Sequence, residues 1–184
     1  MPTPNAAPVL TDYLSLGFNF GEDQAKWRRL TVSRENSPKW LTIPWDEDPW
    51  DPKSHHYDAG GWTVLAGPCS YSLRAHARCK GLEPDCATHI QGVVMTRNPD
   101  GTQTLAGADE ATERPVMPYE TSHTHIDGPL VGYLRPGQLL QVRVDYWNAG
   151  RNADGTLEPQ DQVFGWLVGA SVRGFWGPLP ADMT

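Results

Sequence analysis

The stretch that most constrains the fold of this chain runs from Ser70 to Cys79, where apolar and polar residues alternate with a period of two. A helix would scatter the apolar side chains around its circumference, whereas a strand collects them on one face. The segment is therefore predicted to be a long strand with one buried face. The residues predicted to face inward are Tyr71, Leu73, Ala75, Ala77 and Cys79.

The same alternation recurs later in the chain, and turn signals separate the alternating segments. Leu139–Trp147 and Val163–Trp176 are predicted strands, while Asn98–Gly101 and Arg135–Gln138 have the composition of tight turns. The 18 glycines and 17 prolines leave few segments that could sustain a helix. About nine or ten strands are expected in all, which is typical of a β-sandwich. No repeat of fixed period is visible, which disfavours a propeller or a solenoid.

The charge balance excludes some classes of partner. The net charge is −7, and the 15 lysines and arginines form no basic tract. Nucleic acid and anionic membranes are therefore not expected as partners. No apolar run approaches the roughly 20 residues of a membrane-spanning helix, so no membrane insertion is expected. The first residues lack the features of a signal peptide, which predicts synthesis in the cytoplasm.

The N-terminal region is predicted to be an arm over residues 1–25 that precedes a sandwich over residues 26–184. Residues 1–10 are rich in proline and alanine and are expected to be extended. Leu10–Phe20 is apolar and is compatible with a strand or a short helix. It is expected to dock either on its own domain or on a partner, as an anchor. The candidate anchoring residues are Tyr13, Leu14, Leu16, Phe18 and Phe20.

A long loop over residues 45–61 combines aromatic and acidic side chains. Trp45, Trp50 and Tyr57 could form a platform on which sugar rings stack, or they could pack against their own sheet or a neighbouring subunit. The acidic residues could bind calcium or form a solvated surface.

His123 and His125 form a candidate metal site. Residues i and i+2 of a strand point the same way, so the two imidazoles could share a metal ion, with Asp127 adding an oxygen. The alternative is two exposed or hydrogen-bonded histidines.

Three cysteines, Cys69, Cys79 and Cys86, cannot all be paired within one chain. They are either three free thiols or include a Cys79–Cys86 bridge, and free thiols are favoured because the spacing alone is weak evidence for a bridge.

The sequence offers little for catalysis. No nucleophile elbow of the G-x-S-x-G type and no glycine-rich phosphate loop is present. The protein is therefore not expected to be an enzyme or to need a cofactor.

The order of these features resembles a known family. A polar loop ending at residues 56–58 leads into Gly-Trp-Thr-Val at 61–64, and Ala-Gly-Pro at 66–68 turns into the long strand. Later, Leu-Arg-Pro-Gly-Gln at 134–138 opens a strand, and the last strand ends in Gly-Phe-Trp-Gly at 174–177. This pattern is similar to the C1q/TNF-like jelly roll.

The resemblance spans about residues 26–176 and has three departures. Pro68, Cys69 and Ser70 intervene before Tyr71, where the family commonly has tyrosine directly after glycine. Gly137 is followed by glutamine rather than aspartate, and no collagen-like stalk precedes the domain. The resemblance implies an all-β jelly-roll β-sandwich of about ten strands that assembles as a homotrimer.

Such folds recur in bacteriophage head fibres, decoration proteins and tail proteins, which this acidic sequence, rich in Trp, Gly and Pro, also resembles. The expectation is a non-enzymatic virion protein, made in the host cytoplasm, that forms a trimeric knob on the tail or capsid. Its partners would be other copies of itself, other virion proteins and, on contact with the host, a surface glycan. The alternative is a carbohydrate-binding module or adhesin that uses the aromatic loop.

Overall fold

The computed structural model describes residues 9–45, 62–84, 86–117, 123–147 and 154–179, and all structural statements concern these residues. They form eleven β-strands and one short 3₁₀ helix at Gln24–Lys26. The strands are β1 (Asp12–Asn19), β2 (Arg28–Thr31), β3 (Leu41–Thr42), β4 (Thr63–Ala66), β5 (Cys69–Lys80), β6 (Ala87–Arg97), β7 (Gln103–Ala108), β8 (Thr112–Pro115), β9 (Thr124–Leu134), β10 (Gln138–Trp147) and β11 (Phe164–Gly177).

The strands divide into two antiparallel sheets. Sheet A has the order β1-β11-β5-β9, and β2 also pairs with β11, beyond the end of β1. Sheet B has the order β3-β10-β6-β7, with β4 pairing with β10 and β8 pairing with β6. Strands that are neighbours in a sheet are mostly distant in the chain, as the crossing connections of a jelly roll require. The protein is an all-β jelly-roll β-sandwich, which confirms the predicted fold class.

The core lies between the sheets and follows from the alternation of each strand. Along β5, the five residues predicted to face inward are all buried, and Ser72 and Arg74 are exposed. Alternate residues of β11 lie beside them in sheet A, and alternate residues of β10 face the core from sheet B. The largest fully buried side chains are Trp45, Tyr146, Phe18, Leu14, Leu16, Leu30, Ile43, Leu65, Ile90, Ile126, Leu130 and Leu134.

The segment predicted to be an anchoring arm is part of this sandwich. β1 pairs with β11 over its whole length, from Asp12 opposite Trp176 to Asn19 opposite Gly169. Its alternation turns one set of side chains into the core, so those residues cannot anchor the protein to a partner. The predicted boundary at residue 25 is therefore wrong for the described part of the arm. The candidate anchors that are buried are Leu14, Leu16, Phe18 and Phe20, whereas Tyr13 is exposed.

Two local features are not apparent from the sequence pattern. The Thr112–Pro115 portion of a polar segment forms β8 against β6. Asp127, Gly128 and Pro129 are residue types that favour a turn, but they lie within the continuous strand β9. The described part of the chain contains no helix with the length and apolarity needed to span a membrane.

Candidate functional site

The predicted histidine pair lies at the start of β9, where His123 directly precedes the strand and His125 is its second residue. The closest ring to His125 is that of His76 on β5, with Nε2 of His76 3.0 Å from Nδ1 of His125. The rings of His123 and His125 are 6.4 Å apart between centroids. Among the residues that the structure describes, no group of three or more potential ligands is arranged to hold a metal ion. A metal held by His123 and His125 thus stays a prediction.

The electrostatics favour the neutral form of two rings of this cluster, His76 and His123. Burial lowers the pKa of His76, and the nearby cations of Arg78 and Arg173 act in the same direction, against the opposing effect of Asp127. Burial also lowers the pKa of His123. A neutral imidazole has one donor and one acceptor nitrogen, so His76 and His125 can share a hydrogen bond without mutual repulsion.

Of the two alternatives for Trp45, a sugar platform or packing against its own domain, the structure shows the second. Trp45 is completely buried, and its ring meets Phe18 edge-on with the centroids 6.1 Å apart. An indole enclosed in the core cannot stack on a sugar. Trp50 and Tyr57, and the acidic residues expected to bind calcium or form a solvated surface, lie outside the described residues.

The outer face of sheet A is a regular grid of side chains from four neighbouring strands. Its first row is apolar at three of four positions, and Tyr13 and Val131 in that row are 58% and 65% exposed. The rows below it are polar or small. Read from β1 through β11 and β5 to β9, the rows are Tyr13, Phe175, Ser72, Val131; then Ser15, Arg173, Arg74, Pro129; then Gly17, Ser171, His76, Asp127; then Asn19, Gly169, Arg78, His125.

The outer face of sheet B carries a different kind of surface, a cleft of about 310 Å³ that we call the sheet B cleft. Two half-buried indoles lie around one imidazole: the rings of Trp40 and Trp147 are each 6.2 Å from that of His89. Two carboxylates approach the same imidazole. The cleft is lined by Trp40, Ala87, His89, Ala111, Glu113, Asp145 and Trp147.

The strand register explains how this cleft forms. His89 on β6 lies directly opposite Asp145 on β10 and opposite Glu113 on β8. Trp147 lies two residues beyond Asp145 on the same face, since side chains of a strand alternate between faces. Trp40 immediately precedes β3, which pairs with β10, and its ring is covered by the guanidinium of Arg143 at 4.3 Å.

The polar groups of the cleft are tightly connected. Nδ1 of His89 lies 2.7 Å from Oδ1 of Asp145, and Nε2 lies 3.5 Å from Oε2 of Glu113. The hydrogen bond to Asp145, with a further contribution from Glu113, raises the pKa of His89 above its ordinary value, against the opposing effect of burial. Asp145 is only 1% exposed. Among the described atoms, its Oδ2 has no hydrogen-bond partner.

The residues of this cleft do not stand out in the sequence as members of one site. His89 and Asp145 are 56 positions apart, and only the register of β6 against β10 brings them together. One signal was available: Asp145 and Trp147 occupy the side of β10 opposite to its apolar core residues. That signal places them on an outer face without revealing what stands beside them.

Two solved structures are distantly similar to this chain. No known protein family matches the sequence, and no curated protein matches it. Among solved structures, the Eiger TNF from S. frugiperda is similar over 91% of this chain and 93% of its own, with 12% identity and a TM-score of 0.47. The CBM22-1 xylan-binding domain from Paenibacillus barcinonensis Xyn10C is similar over 92% and 97%, with 15% identity and a TM-score of 0.36. At these levels neither structure bears on the function of this chain.

Proposed function

We propose that this protein is a non-enzymatic structural protein that assembles as a homotrimer through the outer face of sheet A. The observation that carries the proposal is the apolar row at one end of that face. Tyr13, Phe175 and Val131 come from three different strands and are brought into one line by the register. Tyr133, also exposed, lies two residues beyond Val131 on the same face of β9. A contiguous exposed apolar patch rimmed by polar residues is typical of an interaction surface.

The rest of the face suits close contact with another copy of the chain. A shallow depression lies between the larger side chains, at Gly17, Ser171 and Gly169. A neighbouring subunit can approach the backbone there. Tyr13 and Phe175 already meet edge-on with their centroids 5.3 Å apart, which presents a preformed aromatic surface. Closed rotational symmetry is the usual way for identical chains to bury such a surface. The number three comes from the C1q/TNF-like resemblance of the sequence.

The location of the trimer is proposed from the sequence resemblance. The trimer would form a knob on the tail or capsid of a bacteriophage and would therefore be part of the virion. Attachment to other virion proteins cannot use the side chains of β1 that point into the core. Contact with a host surface glycan, the sequence-based alternative, loses the support of Trp45 because that indole is buried. The sheet B cleft supplies a different surface for such contact, because it lies on the sheet opposite to the proposed interface.

The assembly is tested by the molar mass in solution. Sedimentation equilibrium should give three times the chain mass of 20.4 kDa. Phe175→Arg places a charge in the centre of the apolar row and should give folded monomers. The matched control is Leu105→Arg, because Leu105 is equally exposed but lies on sheet B. A wild-type protein that stays monomeric at every concentration, or a trimer that only Leu105→Arg dissociates, contradicts the proposed interface.

The virion placement has its own test. Particles purified from a lysate of infected cells that produce this chain should contain it in stoichiometric amounts by mass spectrometry. Presence of the chain in the lysate together with its absence from the particles would contradict the placement and leave the trimer test unaffected.

A further inference from the structure

The sheet B cleft contains a buried acceptor that nothing in the described structure satisfies. Asp145 is almost completely buried, its Oδ1 binds His89, and its Oδ2 has no partner among the described atoms. A buried polar atom without a partner costs free energy, and native structures rarely leave one without a reason. Asp145 lines the cleft, so a donor that reaches Oδ2 from the cleft would satisfy this atom.

We propose that the sheet B cleft binds a neutral sugar ring of a saccharide chain, held against Trp147 and Trp40 and hydrogen-bonded by Asp145, His89 and Glu113. This inference does not depend on the oligomeric state, because sheet A carries the proposed interface. It also differs from the sequence-based alternative, which used residues of the 45–61 loop.

The size and lining of the cleft fit such a ring. Its volume of about 310 Å³ lies at the lower end of the range for small-molecule sites. Trp147 and Trp40 supply flat apolar surfaces, against which the C–H face of a pyranose can pack. Because both indoles are fixed on or beside paired strands, little conformational entropy is lost when a ligand binds.

The polar groups match hydroxyls, which both donate and accept hydrogen bonds. Asp145 accepts through Oδ2. Nε2 of His89 faces Glu113 at 3.5 Å, a distance long enough for a ligand hydroxyl to compete for both groups. The cleft thus offers acceptors and a donor around the edge of one ring.

The charges of the cleft disfavour an anionic ligand. Two carboxylates lie beside a single imidazole, so the residues that line the cleft carry net negative charge even when His89 is protonated. The nearest guanidinium is already engaged: Arg143 binds Oε1 of Gln91 through Nε and Nη2 at 2.8 and 2.6 Å and covers the ring of Trp40. Arg143 therefore holds Trp40 in place rather than offering a free cation to a phosphate or a carboxylate.

The test is titration of the full chain with neutral oligosaccharides, namely the hexaoses of glucose, xylose, mannose and N-acetylglucosamine, followed by calorimetry and tryptophan fluorescence. At least one should bind with a dissociation constant of about 1 mM or tighter. Trp147→Ala should weaken binding by about tenfold or more, as removal of a central aromatic contact does in other interfaces. Asp145→Asn should weaken it as well, because the amide replaces one acceptor oxygen with a donor.

Controls separate loss of the site from loss of the fold. Trp62→Ala removes another partly exposed indole outside the cleft and should leave binding unchanged. Trp147→Phe keeps an aromatic ring and should retain most of the affinity, with circular dichroism confirming that each variant is folded. Absence of binding to all four oligosaccharides up to about 10 mM overturns the inference. So does binding that survives Trp147→Ala and Asp145→Asn in folded protein.

Discussion

Replacing Trp45 with alanine should strongly destabilise the protein, because its indole belongs to the core. The side chain is completely enclosed, and it contacts the ring of Phe18 edge-on. Removing a buried Trp or Phe side chain in this way typically costs about 3–5 kcal/mol, since the lost apolar burial is accompanied by a cavity. A surface residue in a loop would change the free energy of unfolding by no more than about 0.5 kcal/mol.

The expected size of the effect is measurable by two methods. In a domain of this length, each kcal/mol lowers the melting temperature by about 2–4 °C, so Trp45→Ala should melt about 10 °C below the wild type. Trp45→Phe should cost clearly less, because it keeps an aromatic ring and removes Nε1, which is buried without a partner among the described atoms. Urea unfolding at one fixed protein concentration gives the free energies directly and avoids a shift from subunit dissociation.

The control for this comparison is Trp62→Ala, since Trp62 is partly exposed. If Trp45→Ala unfolds within about 1 kcal/mol of the wild type, the burial of Trp45 is wrong and the alternative of a surface platform is restored.

Three further predictions follow from the buried groups. All three cysteines are buried and none of them forms a disulfide bond, and burial raises the pKa of Cys69 to about 11. Ellman's reagent at neutral pH should therefore label none in the folded protein and three after unfolding, and a missing thiol would indicate a disulfide. The folded state raises the pKa of His89, so protonated His89 stabilises the fold fully below the unfolded pKa of about 6.5, and this stabilisation is lost as the pH rises through the folded pKa. The urea midpoint of the wild type should therefore fall as the pH is raised from below about 6.5 to above the folded pKa, whereas that of His89→Gln should not. Gly128→Ala places a methyl group 2.7 Å from Cγ2 of Ile90 and should cost about 1–3 kcal/mol, whereas Gly107→Ala, with open space around it, should change stability little in the same urea assay.

The strands that cross the middle of each sheet could be predicted from the sequence. β5, β10 and β11 each pack one face on the core, so burial imposes the alternation that the sequence displays. The strands at the edges of the sheets were harder to predict. Pro129 lies in β9 at the edge of sheet A, where the missing N–H need not face a neighbouring strand. β8 is short and polar, so its pairing with β6 leaves no hydrophobic pattern in the sequence.

The candidate site depended on information that a single sequence does not carry. The alternation of β1 was disguised by Gly17 and by consecutive apolar residues, so its core-facing side chains were interpreted as an anchor. The sheet B cleft needs the register of β6 against both β8 and β10, and register is determined by the whole sandwich. His125 was correctly placed on a strand, but its actual neighbour, His76, is 49 positions away.

The position of β11 has a consequence for how the chain reaches its native state. β11 is the last strand in the described sequence, yet it lies inside sheet A, with β5 on one side and both β1 and β2 on the other. It forms hydrogen bonds with each of these three strands. During synthesis, β1 and β2 leave the ribosome without the strand they pair with, because β11 begins 145 residues after the end of β1 and 133 residues after the end of β2. Sheet A therefore closes in one late step, and a chain that stops short of β11 would present the unpaired edges of β1 and β5 to aggregation.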